Sequence, residues 1–115
     1  MTKIYGIRNC DTMKKAFAWL DGHKVCYEFH DYKSAGIDLA RLKAWSKQVG
    51  WEVLLNTRGT TWRRLSPQQQ AGLDGAKALR LMSEHPSLIK RSVLEHGASL
   101  LVGFDPQRYT NELAR

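Results

Sequence analysis

The chain has 115 residues, 43% of them hydrophobic, two cysteines and a formal net charge of +7, the proportions of one globular domain that buries a core without disulfide staples. No apolar run approaches the roughly 18 residues of a membrane-spanning helix. The four histidines (His23, His30, His85, His96) lack metal-ligand spacing, and no zinc-finger pattern, RNP-like string or long basic run points to nucleic acid.

Residues 3–7, Lys3-Ile4-Tyr5-Gly6-Ile7, form a short apolar run that reads as a strand. It stands where a secretory leader would need an apolar h-region, so the expected location is the cytoplasm. Met13, Ala16, Phe17 and Leu20 recur at the i, i+3, i+4, i+7 spacing of a helix, with Gly22 as its stop. Val25, Tyr27 and Phe29 then alternate with more polar neighbours, the period of a strand. Strand, helix and strand with short links make a βαβ unit, whose strands run parallel through a right-handed crossover.

The middle of the chain changes character. Asp38 is placed to cap a helix bearing Leu39, Leu42, Trp45 and Val49, with Gly50 beyond its end. Ser66-Pro67-Gln68-Gln69 reads as a capping box with proline at the first helical position. A further helix over 74–85 carries Ala78, Leu79 and Met82 and stops before Pro86. Residues of about 35–86 therefore form a helical insertion. Beyond it, Val93-Leu94-Glu95 and Ser99-Leu100-Leu101-Val102 flank His96-Gly97 as a hairpin. Asp105-Pro106 opens a closing helix with Tyr109 and Leu113 on one side. The order is βαβ, helical insertion, ββα. Trp19, Trp45, Trp51 and Trp62 show no binding pattern and are assigned to core or interface.

The chemistry concentrates at Cys10, between the first strand and the first helix. Free backbone N–H groups and the helix dipole stabilise an anion there, so a thiolate is favoured. Arg8, Lys14 and Lys15 add positive charge in sequence; Thr12 has a hydroxyl within reach of a sulfur, and Asp11 opposes a thiolate unless it turns away to cap the helix. Cys26 is not its partner. It falls early in the second, parallel strand, at the other end of the sheet, well over ~10 Å away at about 3.3 Å rise per residue, whereas a disulfide needs Cα atoms within about 7 Å. Cys26 is expected to fill the core, and the resolving thiol to come from outside the chain.

The run from Tyr5 to Ala16, through Asn9-Cys10-Asp11-Thr12, resembles the active-site segment of the arsenate reductase (ArsC-like) family. It is nearest the YffB-type branch, which carries Cys-Asp-Thr. Leu55-Asn56-Thr57-Arg58-Gly59-Thr60, His85-Pro86-Ser87-Leu88-Ile89-Lys90-Arg91 and Leu101-Val102-Gly103-Phe104 extend the resemblance over essentially the whole chain. It implies a single domain over residues 1–115 with a thioredoxin-like α/β fold, a mixed four-stranded sheet carrying the helical insertion.

The resemblance also implies one catalytic cysteine, Cys10, with Asn9, Asp11, Thr12, Arg58 and Arg91 around the substrate. A planar guanidinium suits an oxyanion or carboxylate. The family's third arginine belongs close to Gly103-Phe104-Asp105, where none stands. The cis-proline usual before the third strand is replaced by Ser92. The branch implies a glutathione-dependent thiol reductase. It would act on a small-molecule or protein disulfide as a monomer, with glutathione as co-substrate and no bound cofactor or metal. Arsenate reduction with glutathione is the first alternative. A non-enzymatic regulator of RNA polymerase, as in the more distant Spx proteins, is the second, although Met13 stands where their second switch cysteine would be.

Overall fold

Strand β1 (Thr2–Gly6) organises the N-terminal part of the computed structural model, which describes residues 1–113. β1 pairs in parallel with β2 (Glu28–Asp31), from Lys3 opposite Glu28 to Gly6 opposite Asp31. On its other edge it pairs antiparallel with β3 (Val93–His96), with Tyr5 opposite Val93. A hairpin joins β3 to β4 (Ser99–Val102), giving the order β2-β1-β3-β4. Gly97 occupies its turn at φ 57°, a conformation that a glycine adopts without strain. The crossover from β1 to β2 is helix α1 (Asp11–Gly22).

Period-2 alternation sends Ile4, Leu94 and Leu101 to one face of the sheet. There they meet Met13, Ala16 and Leu20 of α1 and Tyr109 of the closing helix. These seven side chains are buried and form one continuous cluster, with Phe17, Phe29 and Phe104 at its margin. A short helix α2 (Tyr32–Ala35) follows β2 directly.

Residues 36–90 form a second unit, entirely helical apart from one isolated β-bridge, Leu55–Ile89. Its elements are α3 (Leu39–Val49), α4 (Trp51–Leu54), α5 (Thr60–Arg64), α6 (Pro67–Gln70), α7 (Gly75–Glu84) and a 3₁₀ turn (Pro86–Leu88). The caps work as their residue types dictate. Asp38 accepts from the Arg41 N–H at 2.8 Å, and Asp74 from the Lys77 N–H at 2.8 Å. Ser66 and Gln69 close a reciprocal capping box. Leu42, Trp45, Leu54, Ala78, Met82, Leu88 and Ile89 make the interior of this unit. The chain then returns to the sheet, and α8 (Pro106–Leu113) closes the described part.

Two expectations are corrected. The second strand starts at Glu28 rather than Val25, so Cys26 lies ahead of it and is exposed, not core. Leu39 is 39% exposed instead of sharing the buried stripe of α3, because it sits in the first turn, beside the Asp38 cap. Helix α1 ends at Gly22 as expected, and the left-handed residue beyond it is Lys24 at φ 56°.

Candidate functional site

Cys10 is the N-cap of α1 with extended backbone (φ −140°, ψ 133°), and its carbonyl accepts the Lys14 N–H at 2.9 Å. No side-chain hydrogen bond caps the helix. The first-turn amides of α1 are therefore left without a side-chain cap next to the Cys10 thiol. The residue is half-buried, its inner side packed on the Ile4–Leu94 core. Close packing sets this position. A Cβ on Gly6 would meet the Met13 side chain, its Sδ first and its Cε at 2.7 Å. Only the absence of a side chain at the end of β1 lets the first turn of α1 lie this close.

Register places Arg91 at the same end of the sheet. Tyr5 faces Val93, so Gly6 and Ser92 follow as the next pair in line. Arg91 is half-buried and joined to the buried Ser92 by a cis peptide bond. Two hydrogen bonds hold that segment. The Ser92 carbonyl accepts the Gly103 N–H at 2.7 Å, and the Ser92 and Tyr109 hydroxyls share a bond at 2.8 Å. Burial pushes the Tyr109 phenol above its usual range, and the bond to Ser92 draws it partly back.

Tyr32 belongs to the same sheet end, one residue beyond the Gly6–Asp31 pair. Its hydroxyl is buried with no hydrogen-bond partner among the described residues. Burial raises its pKa strongly; the Tyr5 phenol adds to this, and the Arg91 guanidinium opposes it. Arg108 reaches this end from α8 and donates to the Val102 carbonyl at 3.3 Å. Sequence reading passed over Tyr32 and Arg108. A four-residue helix and a guanidinium turned back along its own helix leave no periodic signal.

Asn9 and Asp11 are exposed and Thr12 is half-buried; no hydrogen bond joins the Thr12 hydroxyl to the Cys10 sulfur. Asp11 lies in the first turn of α1, where its charge complements the helix dipole. Arg8 lies with its guanidinium over the Phe29 ring, 5.0 Å from the centroid, in a small cleft with Asp21 and Tyr27. Cys26 lines a different cleft with Met1, Thr2 and Glu28, at the end of the sheet where β1 begins.

Arg58 belongs to the helical unit. The Asn56 Oδ1 accepts its backbone N–H at 3.0 Å, and its side chain lines a cleft of about 590 Å³ together with Trp51, Asn56 and Lys90. Among the described residues, no group of three or more His, Cys, Asp or Glu is arranged to hold a metal ion, and no helix is long and apolar enough to cross a membrane.

Residues 5–111 match the model of the ArsC family. A solved YffB protein is 54% identical, with a TM-score of 0.96 over 98% of this chain and 99% of its own. An arsenate reductase (ArsC) related protein from Brucella melitensis is 49% identical, with a TM-score of 0.76 over 96% of this chain and 92% of its own. An uncharacterised Haemophilus influenzae protein is 44% identical over 109 residues, 95% of this chain and 96% of its own. The mixed four-stranded sheet with its helices is the thioredoxin-like fold expected from the sequence.

Proposed function

This chain belongs to the ArsC family, and we propose that within it the protein is a glutathione-dependent thiol–disulfide oxidoreductase with Cys10 as its sole nucleophile. The observation that carries the reading is the Cys10 sulfur at the N-cap of α1, with no side-chain hydrogen bond of its own. The preferred substrate is a disulfide or a glutathione mixed disulfide. For the latter, the Cys10 thiolate attacks the glutathione sulfur. A Cys10–glutathione disulfide forms, the substrate S–S bond breaks, and the departing thiolate takes a proton from water. A second glutathione, as thiolate, attacks the bound glutathione sulfur. Glutathione disulfide leaves and Cys10 returns as thiolate. The two electrons that reduce the substrate come from glutathione, so the cycle runs with no resident cofactor.

Free amides of the first turn of α1 stabilise the attacking and departing sulfur anion. Arg91, held by the braced Ser92 segment, supplies a guanidinium at the Cys10 end of the sheet for a glutathione carboxylate. Arg58 belongs to the helical unit, where its guanidinium is suited to a carboxylate or oxyanion. The cytoplasm, where thiols are kept reduced, suits this chemistry.

Arsenate reduction by the same cysteine is the weaker reading. No arginine occupies positions 103–105, and the nearby Arg108 is engaged by the Val102 carbonyl. A two-cysteine regulator is disfavoured because Met13 is a buried core residue packed under Gly6. The test is side-by-side turnover of a glutathione mixed disulfide and of arsenate, with glutathione as reductant. The expected result is mixed-disulfide turnover with a Cys10–glutathione adduct in the mass spectrum and weak arsenate reduction. Losing one charge-assisted bond of about 1.5–3 kcal/mol predicts that Arg91→Ala slows adduct formation on the order of tenfold to a hundredfold. Efficient arsenate reduction without any glutathione adduct would overturn the proposal.

A further inference from the structure

A cleft of about 290 Å³ lies along α1 and β2, lined by Arg8, Phe17, Asp21, Tyr27 and Phe29. All five belong to the sheet unit that carries Cys10, and the reaction described above uses none of them. The volume stands at the lower edge of the roughly 300–1,000 Å³ range of small-molecule pockets. It is room for a side chain rather than for a whole ligand.

The floor is aromatic. The Phe17 and Tyr27 rings lie nearly parallel with centroids 5.9 Å apart, and Phe29 meets Phe17 edge-on at 5.0 Å. The three rings pack on the buried core and are themselves half-buried, a fixed surface that suits an apolar or aromatic side chain. The two charges differ in their engagement. The Asp21 Oδ1 accepts the Tyr27 hydroxyl at 3.2 Å. The exposed Arg8 guanidinium lies over the Phe29 ring, 5.0 Å from its centroid, and no hydrogen bond or ion pair holds it among the described residues. Contact with a ring face steadies the guanidinium and leaves N–H donors for a carboxylate.

The cleft is within reach of the nucleophile. Arg8 precedes Cys10 by two residues. Phe17 follows Cys10 by two helical turns, about 10 Å along α1 and on nearly the same side. Exposed Lys14 lies between them, one turn before Phe17. An extended peptide covers that distance in about three residues.

We propose that this cleft docks the polypeptide that leaves as a thiolate when Cys10 attacks a protein–glutathione mixed disulfide. The favoured segment carries a carboxylate beside its cysteine, for Arg8, and an apolar or aromatic side chain about three residues away, for the ring floor. The net charge of +7 draws in the same acidic class of partner. A small mixed disulfide reaches neither feature. The proposal deepens the thiol–disulfide reading by naming its substrate class, and rests on that reading for the reaction.

The test uses the blocked heptapeptide Phe-Ala-Asp-Cys-Asp-Ala-Phe as its glutathione mixed disulfide. It is symmetric about the cysteine, so either chain direction presents the same side chains. Counterparts replace both Asp by Lys, or both Phe by Ala. Each kcat/KM is read relative to the mixed disulfide of glutathione and β-mercaptoethanol, which cancels any change in Cys10 itself. The wild-type protein is expected to favour the parent peptide over the Ala counterpart at least fivefold. Arg8→Glu, at an exposed position, is expected to lower the ratio of Asp to Lys peptide turnover at least tenfold. Comparing that ratio between proteins cancels the differing thiol pKa values of the peptides. Separately, the Cys10→Ser protein is titrated with the parent peptide carrying serine for cysteine, and amide chemical shifts are expected to move at the cleft residues. An Asp-to-Lys ratio unchanged by Arg8→Glu, or shifts that miss the cleft, would overturn the docking assignment even if mixed disulfides are turned over. Saturable shifts at the cleft with no turnover of any mixed disulfide would overturn the enzymatic reading and leave the docking surface standing.

Discussion

Tyr32 and Ser92 lie at the same end of the sheet and carry opposite consequences for stability. The Tyr32 hydroxyl is buried without a hydrogen-bond partner among the described residues, and an unpaired buried polar group costs about 1–3 kcal/mol. Tyr32→Phe is therefore expected to keep or raise the stability at pH 7, by on the order of 1 kcal/mol. Its pH dependence has a definite sign. Burial raises the folded-state pKa above the unfolded value of about 10. Below about pH 10 both states hold the proton. Above it the unfolded chain loses the proton first, so the stability of the wild-type protein falls while the phenylalanine variant is spared this loss. Urea unfolding at pH 7 and pH 11 checks both points; a narrower gap between the proteins at pH 11 would contradict them. Ser92→Ala leaves the buried Tyr109 hydroxyl without its 2.8 Å partner and is expected to cost about 1–3 kcal/mol, read from the same unfolding curves. At this scale the sequence was uneven as a guide. Cys10 was legible because a strand pattern ends and a helical stripe begins around it. Cys26 was misplaced because Val25, Tyr27 and Phe29 keep strand alternation before the pairing with β1 actually starts at Glu28.

Helix α1 reaches the end of β1 through a single missing side chain, and Gly6→Ala should show it. The added methyl meets Met13 Sδ and Cε, and both residues are buried. Thioether side chains adapt, so the expected cost is about 1–3 kcal/mol with the first turn of α1 displaced. That shift would be visible in the amide resonances of Cys10–Met13 and as slower thiol exchange at Cys10. A variant of unchanged stability and unchanged Cys10 reactivity would show that the close approach does not position the sulfur. The long elements were readable from periodicity and caps, as Asp38, Ser66 and Asp74 demonstrate. Helices α2, α4 and α5 were not. Four or five residues show no full apolar stripe, and isolated helices of that length do not persist without tertiary packing.

The basic character of the molecule is concentrated rather than diffuse. Residues 36–90 hold nine Lys or Arg against four Asp or Glu, and two of those acids, Asp38 and Asp74, cap helices. The sequence shows this excess but not the cleft that Arg58 and Lys90 line, because Trp51, Arg58 and Lys90 converge only once the Leu55–Ile89 bridge forms. The single thiol's role is the claim on which the remaining chemistry depends, and the two cysteines lie toward opposite ends of β1. Glutathione-coupled reduction of a glutathione mixed disulfide by the wild-type, Cys10→Ser and Cys26→Ser proteins tests it directly, with mass spectrometry of each protein after turnover. We predict that Cys26→Ser keeps most of the activity and carries one glutathione on Cys10, while Cys10→Ser is inactive and carries none there. Retained activity in Cys10→Ser, or a Cys10–Cys26 disulfide in high yield from the wild-type protein, would contradict the account.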